Sequence, residues 1–176
     1  MNITIRKAGI ADAKDIANIG RQSFYEAFVS IFQNEKDLEV YLDHTYAIPH
    51  IEESIAKPNN VFFIAFDADK ATGFAKMKLR SQHKTISSSR QTELQKIYVL
   101  KEYHGTGVGQ ALMNAVIQQS KETGTEDLWL DVHIVNAKAK KFYEKNGFQK
   151  AGDHRFTIGT QEFYYDVLTL PLAVHA

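Results

Sequence analysis

The stretch from Glu93 to Ser120 limits the fold more than any other. It reads as a strand, a glycine-rich turn and a helix in immediate succession. Leu94, Ile97, Tyr98, Val99 and Leu100 are β-branched, aromatic or otherwise apolar, as a strand requires. Gly105, Gly107 and Gly109 then remove every second side chain. Ala111, Leu112, Ala115, Val116 and Gln119 recur at steps of three and four, the spacing of a helix face. Such a turn leaves backbone N–H groups uncovered at the positive end of a helix. With no side chains in the way, phosphate oxygens can approach closely. The arrangement points to a ligand with a phosphate or pyrophosphate. A tight structural connection is the other reading of the same glycines.

The turn is not a P-loop, because no Gly-Lys-[Ser/Thr] follows the glycines. Nor is it the dinucleotide fingerprint G-x-G-x-x-G, since Gln110 stands where the third glycine belongs. A second constellation lies downstream, from Asn136 to Phe148. Asn136 and Tyr143 fall two turns apart on one helix face. Ala139 and Phe142 read as core. Gly147 suits the left-handed residue that ends a helix, and Phe148 begins the next strand. A strand over Glu126–Ile134 precedes this helix, so two strand–helix units follow one another. That order suits two neighbouring parallel strands.

With both constellations in place, the chain resembles the GNAT acetyltransferases, which use acetyl-CoA. Their first motif, [Gln/Arg]-x-x-Gly-x-[Gly/Ala] after a strand, has its counterpart in His104, Gly105, Thr106, Gly107, Val108 and Gly109. Their second, Asn-x-x-Ala-x-x-Phe-Tyr-x-x-x-Gly-Phe, is met at Asn136, Ala139, Phe142, Tyr143, Gly147 and Phe148. His104 in place of Gln or Arg, and Lys101 where Pro is frequent, are departures. His104 is expected to keep its backbone N–H available. The resemblance covers most of the chain, more weakly before Val61. It implies one domain over residues 1–176, with a mixed α/β sheet, splayed parallel central strands and helices on both faces.

The resemblance also implies roles. Backbone groups of Ile97, Tyr98 and Val99 would meet the pantetheine arm, with a Val99 or Tyr98 N–H polarising the thioester carbonyl. The pyrophosphate would sit on His104–Gly109. Asn136 would bond the pantetheine amides, and Lys145 would contact a phosphate. Tyr143 matches the tyrosine that donates to the departing sulfur; a phenol is protonated at neutral pH. For the base, Glu93 stands first. It is read on one strand face with Gln95, Ile97 and Val99. His133, on a face with Trp129 and Asp131, is the competitor.

Composition narrows the rest. Net charge is zero, which offers nothing to nucleic acid or an anionic membrane. The chain has no cysteine, so disulfides, thiolate metal sites and a cysteine nucleophile are excluded, and no metal is expected. No apolar leader or ~20-residue apolar run is present, and the expected compartment is the cytoplasm. In chain order, the pattern predicts a strand over Ile3–Lys7 and a helix from Ala11 to about Val29 with Asp12 at its start. Helices follow near Lys36–His44 and His50–Ala56. Strands are expected at Val61–Asp67 and Thr72–Arg80, then a mobile loop over Ser81–Thr92. The last strands are placed at Phe148–Lys150, Arg155–Ile158 and Glu162–Leu170, the final one as an edge open to a second copy.

The acceptor is approached through charge. Between Glu26 and Ala56 lie Glu26, Glu35, Asp37, Glu39, Asp43, Glu52 and Glu53, against Lys36 alone. Negative charge there favours a cationic amine; solvated helix faces are the alternative. Within the family, R-Q-S-F-Y-E-A-F, T-E-L-Q-K-I-Y-V and D-L-W-L resemble the bacterial PaiA-type spermidine/spermine N-acetyltransferases. A polyamine or other small amine is therefore the expected acceptor. A protein N-terminus, a lysine, an aminoglycoside, or acyl-CoA binding without turnover are the rival readings.

Overall fold

The structure, a computed structural model, describes residues 1–172. Its centre is one seven-stranded sheet in the order β1-β2-β3-β4-β5-β7-β6. The strands are β1 (Ile3–Lys7), β2 (Asn60–Asp67), β3 (Lys70–Leu79), β4 (Gln91–Val99), β5 (Asp127–His133), β6 (Gln149–Ile158) and β7 (Gln161–Pro171). Only β4 and β5 run parallel; every other neighbouring pair is antiparallel. The helices are α1 (Ala13–Phe28), α2 (Glu35–Thr45), α3 (Ile48–Ala56), α4 (Val108–Glu122) and α5 (Ala137–Lys145).

Alternation along the strands builds two cores, one on each face. Phe62, Ile64 and Phe74 pack with Ile16, Phe24, Leu38 and Ile51 of α1–α3. Ala65, Ala75, Met77 and Leu130 pack with Val108, Leu112 and Val116 of α4 on the other face. β3 therefore has no single inward side, because Phe74 and Met77 are both fully buried in opposite layers.

Local chemistry sets most boundaries. The Asp12 carboxylate accepts the Gly9 N–H at 2.8 Å and both Arg6 nitrogens at 2.8 Å, fixing a short 3₁₀ turn ahead of α1. The Arg6 guanidinium holds that carboxyl below its ordinary range. Asn34 caps α2 by accepting from Lys36 N–H. α3 starts two residues earlier than the pattern predicts, because Pro49 is tolerated in a first turn.

Three expectations are corrected. The two short pieces near the C-terminus are one strand, β6, bent by an irregularity between Lys150 and Gly152. The final strand is not an edge: β7 pairs with β5 and β6, leaving β1 and β6 outermost. The Ser-rich segment after β3 is held by hydrogen bonds. Gln91 accepts from His83 N–H and donates to the carbonyls of Ile86 and Ser88, while Trp129 Nε1 donates to Ser81 at 2.7 Å. No described helix is long and apolar enough to cross a membrane.

Candidate active site

β4 and β5 separate partway along their length. They pair at Gln91–Asp127, Thr92–Leu128 and Glu93–Trp129, and then no more, although β4 continues to Val99 and β5 to His133. The gap exposes backbone on both lips. Leu100 N–H bonds to Thr72 O, toward β3, at 2.9 Å. Backbone groups of an antiparallel pair alternate in direction, so Tyr98 N–H also faces β3, whereas Ile97 and Val99 N–H face the gap. Of the two amides considered for the thioester carbonyl, Val99 is the one turned toward the open side.

At the upper end of the gap lies the glycine turn. Gly105 and Gly107 have φ of 75° and 96°, where a Cβ would be strained although nothing crowds it. Ala111 N–H returns to Gly107 O at 3.0 Å. The amides of Val108, Gly109 and Gln110 therefore have no acceptor within α4 and point out of its N-terminus. His104 differs from the expectation, since its N–H is spent on Lys101 O at 3.1 Å. Its imidazole folds back instead, donating Nε2–H to Val99 O at 2.9 Å. That bond fixes the tautomer, and Nδ1 then accepts the Lys138 ammonium at 3.4 Å. Thr106 also turns inward, its hydroxyl bonding Tyr103 O. Lys138 is a cation at this turn that motif reading missed; the basic run from Lys138 to Lys141 was its only signal. Lys145 is exposed at the end of α5.

α5 closes the gap from the α4 side. Asn136 caps it, Oδ1 accepting Ala139 N–H at 3.2 Å, so the Asn-x-x-Ala spacing has a structural cause. Its amide nitrogen has no partner among the described hydrogen bonds. Gly147, at φ 95°, reverses the chain, and Phe148 N–H returns to Tyr143 O at 3.1 Å. Phe142 and Phe148 hold the Tyr143 ring at 5.6 and 5.9 Å. Burial pushes this phenol up to about 12, which keeps it protonated. No described hydrogen bond uses its hydroxyl. Tyr98, whose phenol is raised by burial and then by its neighbours Tyr46 and Tyr41, lies on the opposite face.

That opposite face corrects the reading of Glu93. The β3–β4 register jumps from Lys76–Lys96 to Met77–Leu94, leaving Gln95 unpaired as a bulge. One extra residue reverses the alternation. Glu93 therefore shares a face with Lys96 and Tyr98, toward α1–α3, while Ile97 and Val99 join Leu94 in the α4 core. Glu93 is half-buried, and burial and then Asp131 raise its carboxyl above the ordinary value. Asp131 is raised by burial too, and one of its oxygens is buried without a partner. His133 lies among the rings of Phe28, Phe163 and Tyr165, at 5.9, 5.9 and 5.4 Å, and accepts Val135 N–H on Nδ1. Burial lowers its pKa; it packs as a neutral ring.

Two lysines on this face went unnoticed in the sequence. Burial brings Lys76 and Lys96 each down to about 8. Most acids of the α1–α3 region look outward: Glu26, Glu35, Glu39, Asp43 and Glu53 are exposed, though Glu53 shares a recess with Lys76. Asp37 caps Thr160, and Asp43 pairs with Arg21 at 2.7 Å. Among the described residues, no group of three or more His, Asp or Glu could hold a metal.

A gap with free amides, ending at bare helix amides beside a protonated phenol, fits a long ligand with a phosphate at one end. The chain belongs to the acetyltransferase (GNAT) family, whose profile matches residues 21–148. It is an acetyl-CoA-dependent N-acetyltransferase. It is 29% identical over 150 residues to an uncharacterized N-acetyltransferase of Mycobacterium tuberculosis, covering 85% of this chain and 91% of that one. It is 26% identical over 153 residues to the spermidine N(1)-acetyltransferase of Thermoplasma acidophilum, covering 85% and 89%. The structure of the PaiA N-acetyltransferase from Thermoplasma acidophilum in complex with coenzyme A superposes with a TM-score of 0.79. There, 98% of this chain and 100% of that one are covered at 23% identity.

Proposed function

We propose that the protein acetylates the primary amine of a small molecule by direct transfer. Acetyl-CoA supplies the activated acyl thioester. Ile97 would hold the pantetheine arm by its gap-facing amide, with Asn136 Nδ2 beside it, leaving the Val99 N–H for the thioester. The amides of Val108, Gly109 and Gln110 would hold the pyrophosphate, with Lys138 and, further out, Lys145 supplying cations. Val99 N–H donates to the carbonyl oxygen as negative charge gathers there. Glu93 removes a proton from the arriving ammonium, directly or through a water, because only the neutral amine has a lone pair to give. As the C–N bond forms and the C–S bond breaks, Tyr143 donates its proton to the sulfur, and the second proton that the nitrogen loses in becoming an amide restores the phenol.

The observation that carries this reading is the separation of β4 from β5 beside the unpaired amide of Val99. Spermidine and spermine are the first acceptors to try. The spermidine relative supports them, as does the acidic run from Glu26 to Glu53, although most of those acids are exposed. The test is thiol release from acetyl-CoA with purified protein and a panel of polyamines, amino acids, aminoglycosides and peptides. Release with any small amine supports the proposal. Acetyl-CoA binding without release on the whole panel would leave a binding domain in its place.

A further inference from the structure

Lys76 and Lys96 are direct cross-strand partners on the acceptor face. Side chains in that relation leave the sheet about 5 Å apart, and like charges there repel. Neither lysine has an ion pair among the described residues, and nor do their neighbours Lys57 and Lys78. Two acids face the group, Glu53 and Glu93, and neither reaches ion-pair distance. Beside the pair, Lys76 and Lys78 line a recess of about 120 Å³ with Lys57, His50 and the single acid Glu53; Lys96 and Tyr46 lie outside it. The positive neighbours of His50 add to burial in disfavouring its protonated form.

A second observation comes from another element. Tyr46, just past the end of α2, is 3% exposed, and its buried hydroxyl lies beside that of Tyr98 without a well-formed hydrogen bond among the described residues. The Lys96 ammonium stands over its ring, 5.1 Å from the centroid. Burial raises the Tyr46 phenol far above its ordinary value, so it remains an O–H donor. Gly20 of α1 fixes the ring, since a Cβ at that position would lie 2.2 Å from Tyr46 Cε1. Lys96 over the Tyr46 ring and Lys76 beside it, over the Phe62 ring at 5.7 Å, have no acid at ion-pair distance, and with the Tyr46 hydroxyl close by donors exceed acceptors, at a cost to the fold unless something negative joins them.

We propose that Lys76 and Lys96, with the Tyr46 hydroxyl, form an anion-binding subsite on the acceptor face, so that the amine acetylated here also carries a carboxylate or a phosphate. The inference rests on the amine acetyltransferase reading and narrows its acceptor class. A polycation such as spermidine meets two like charges at this subsite. An amino acid or an aminoalkyl phosphate meets opposite ones, with its amine left for Glu93.

Matched acceptors test it. Thiol release is measured for amino acids against their amides, and for phosphoethanolamine against ethanolamine, with spermidine alongside. The acid-bearing member of at least one pair is expected to have a kcat/KM at least tenfold higher, and the pair that responds tells carboxylate from phosphate. In the double variant Lys76→Met/Lys96→Met the preference should shrink to within about threefold. Amides or spermidine matching the acids, or a preference untouched in the variant, would overturn the subsite. Should no amine be acetylated, the activity reading fails and the subsite is decided by calorimetry with inorganic phosphate and acetate. Heat with the native protein and none with the double variant upholds it; no heat with either rejects it. Lys96→Met alone should raise Tm by about 2–4 °C, and a fall of that size would assign the ammonium to the fold instead.

Discussion

The two faces of the sheet are built on different terms. The α4–α5 face presents backbone: free amides of Ile97 and Val99, bare helix amides after Gly107, and one phenol at Tyr143. The α1–α3 face presents side chains: Glu93, Lys96, Tyr98, Asp131 and Tyr46, of which Asp131 and Tyr46 each bury an oxygen without a well-formed hydrogen bond. Backbone binding tolerates variation in side chains and suits a ligand that never changes. Side-chain binding is specific, and its unpaired groups weaken the fold until the ligand arrives. One strand serves both faces because Gln95 bulges out of it.

The most severe way to break this comparison is to delete Gln95. The residues before it would then change faces, moving Leu94 out of the α4 core and Glu93 into it. A loss of about 3 kcal/mol or more is expected, read as a collapse of the urea midpoint or as insoluble protein. A chain that keeps its stability would mean the bulge does not set the faces. Tyr143→Phe comes next. It should lower kcat about 100-fold and leave the acetyl-CoA Kd within a few fold, by stopped-flow and calorimetry. Equal losses in both would make Tyr143 a packing residue.

Gly107→Ala tests the backbone face with one methyl group. Nothing lies within 4 Å of the added Cβ, so its effect comes from the φ of 96° alone. That strain is about 1–2 kcal/mol. If binding requires this backbone, the acetyl-CoA Kd should rise about tenfold, while Glu93-dependent steps keep their pH profile. The mildest test concerns Glu93 itself. Its carboxyl is raised by burial and by Asp131. A base works when deprotonated, so kcat/KM should climb with pH through that raised value. Asp131→Asn removes the neighbouring negative charge and should move the climb to lower pH. Glu93→Gln should abolish it. A climb unmoved in Asp131→Asn would place the titrating group elsewhere.

The backbone face was largely legible in the sequence because its parts are contiguous. Three glycines in one turn and an Asn-to-Phe run along one helix announce themselves. The side-chain face was not, because separate strands and helices assemble it. No glycine or proline marks the bulge in E-L-Q-K-I, so Glu93 was read on the wrong face. The meeting of Lys76 with Lys96 depends on the register of β3 against β4, which that same bulge shifts. The acids of α2 and α3 were visible as charges, but only packing shows that most of them look outward. His104 was misjudged for a local reason: a short 3₁₀ turn at Lys101–Tyr103 consumes its amide.

The void at Gly20 has an evolutionary reach. The Tyr46 ring lies where a side chain on α1 would be, so the two positions form a lock and its cut-out, one on α1 and the other just past the end of α2. Enlarging either one alone produces a collision. A lineage that fills the Gly20 position must therefore change Tyr46 with it.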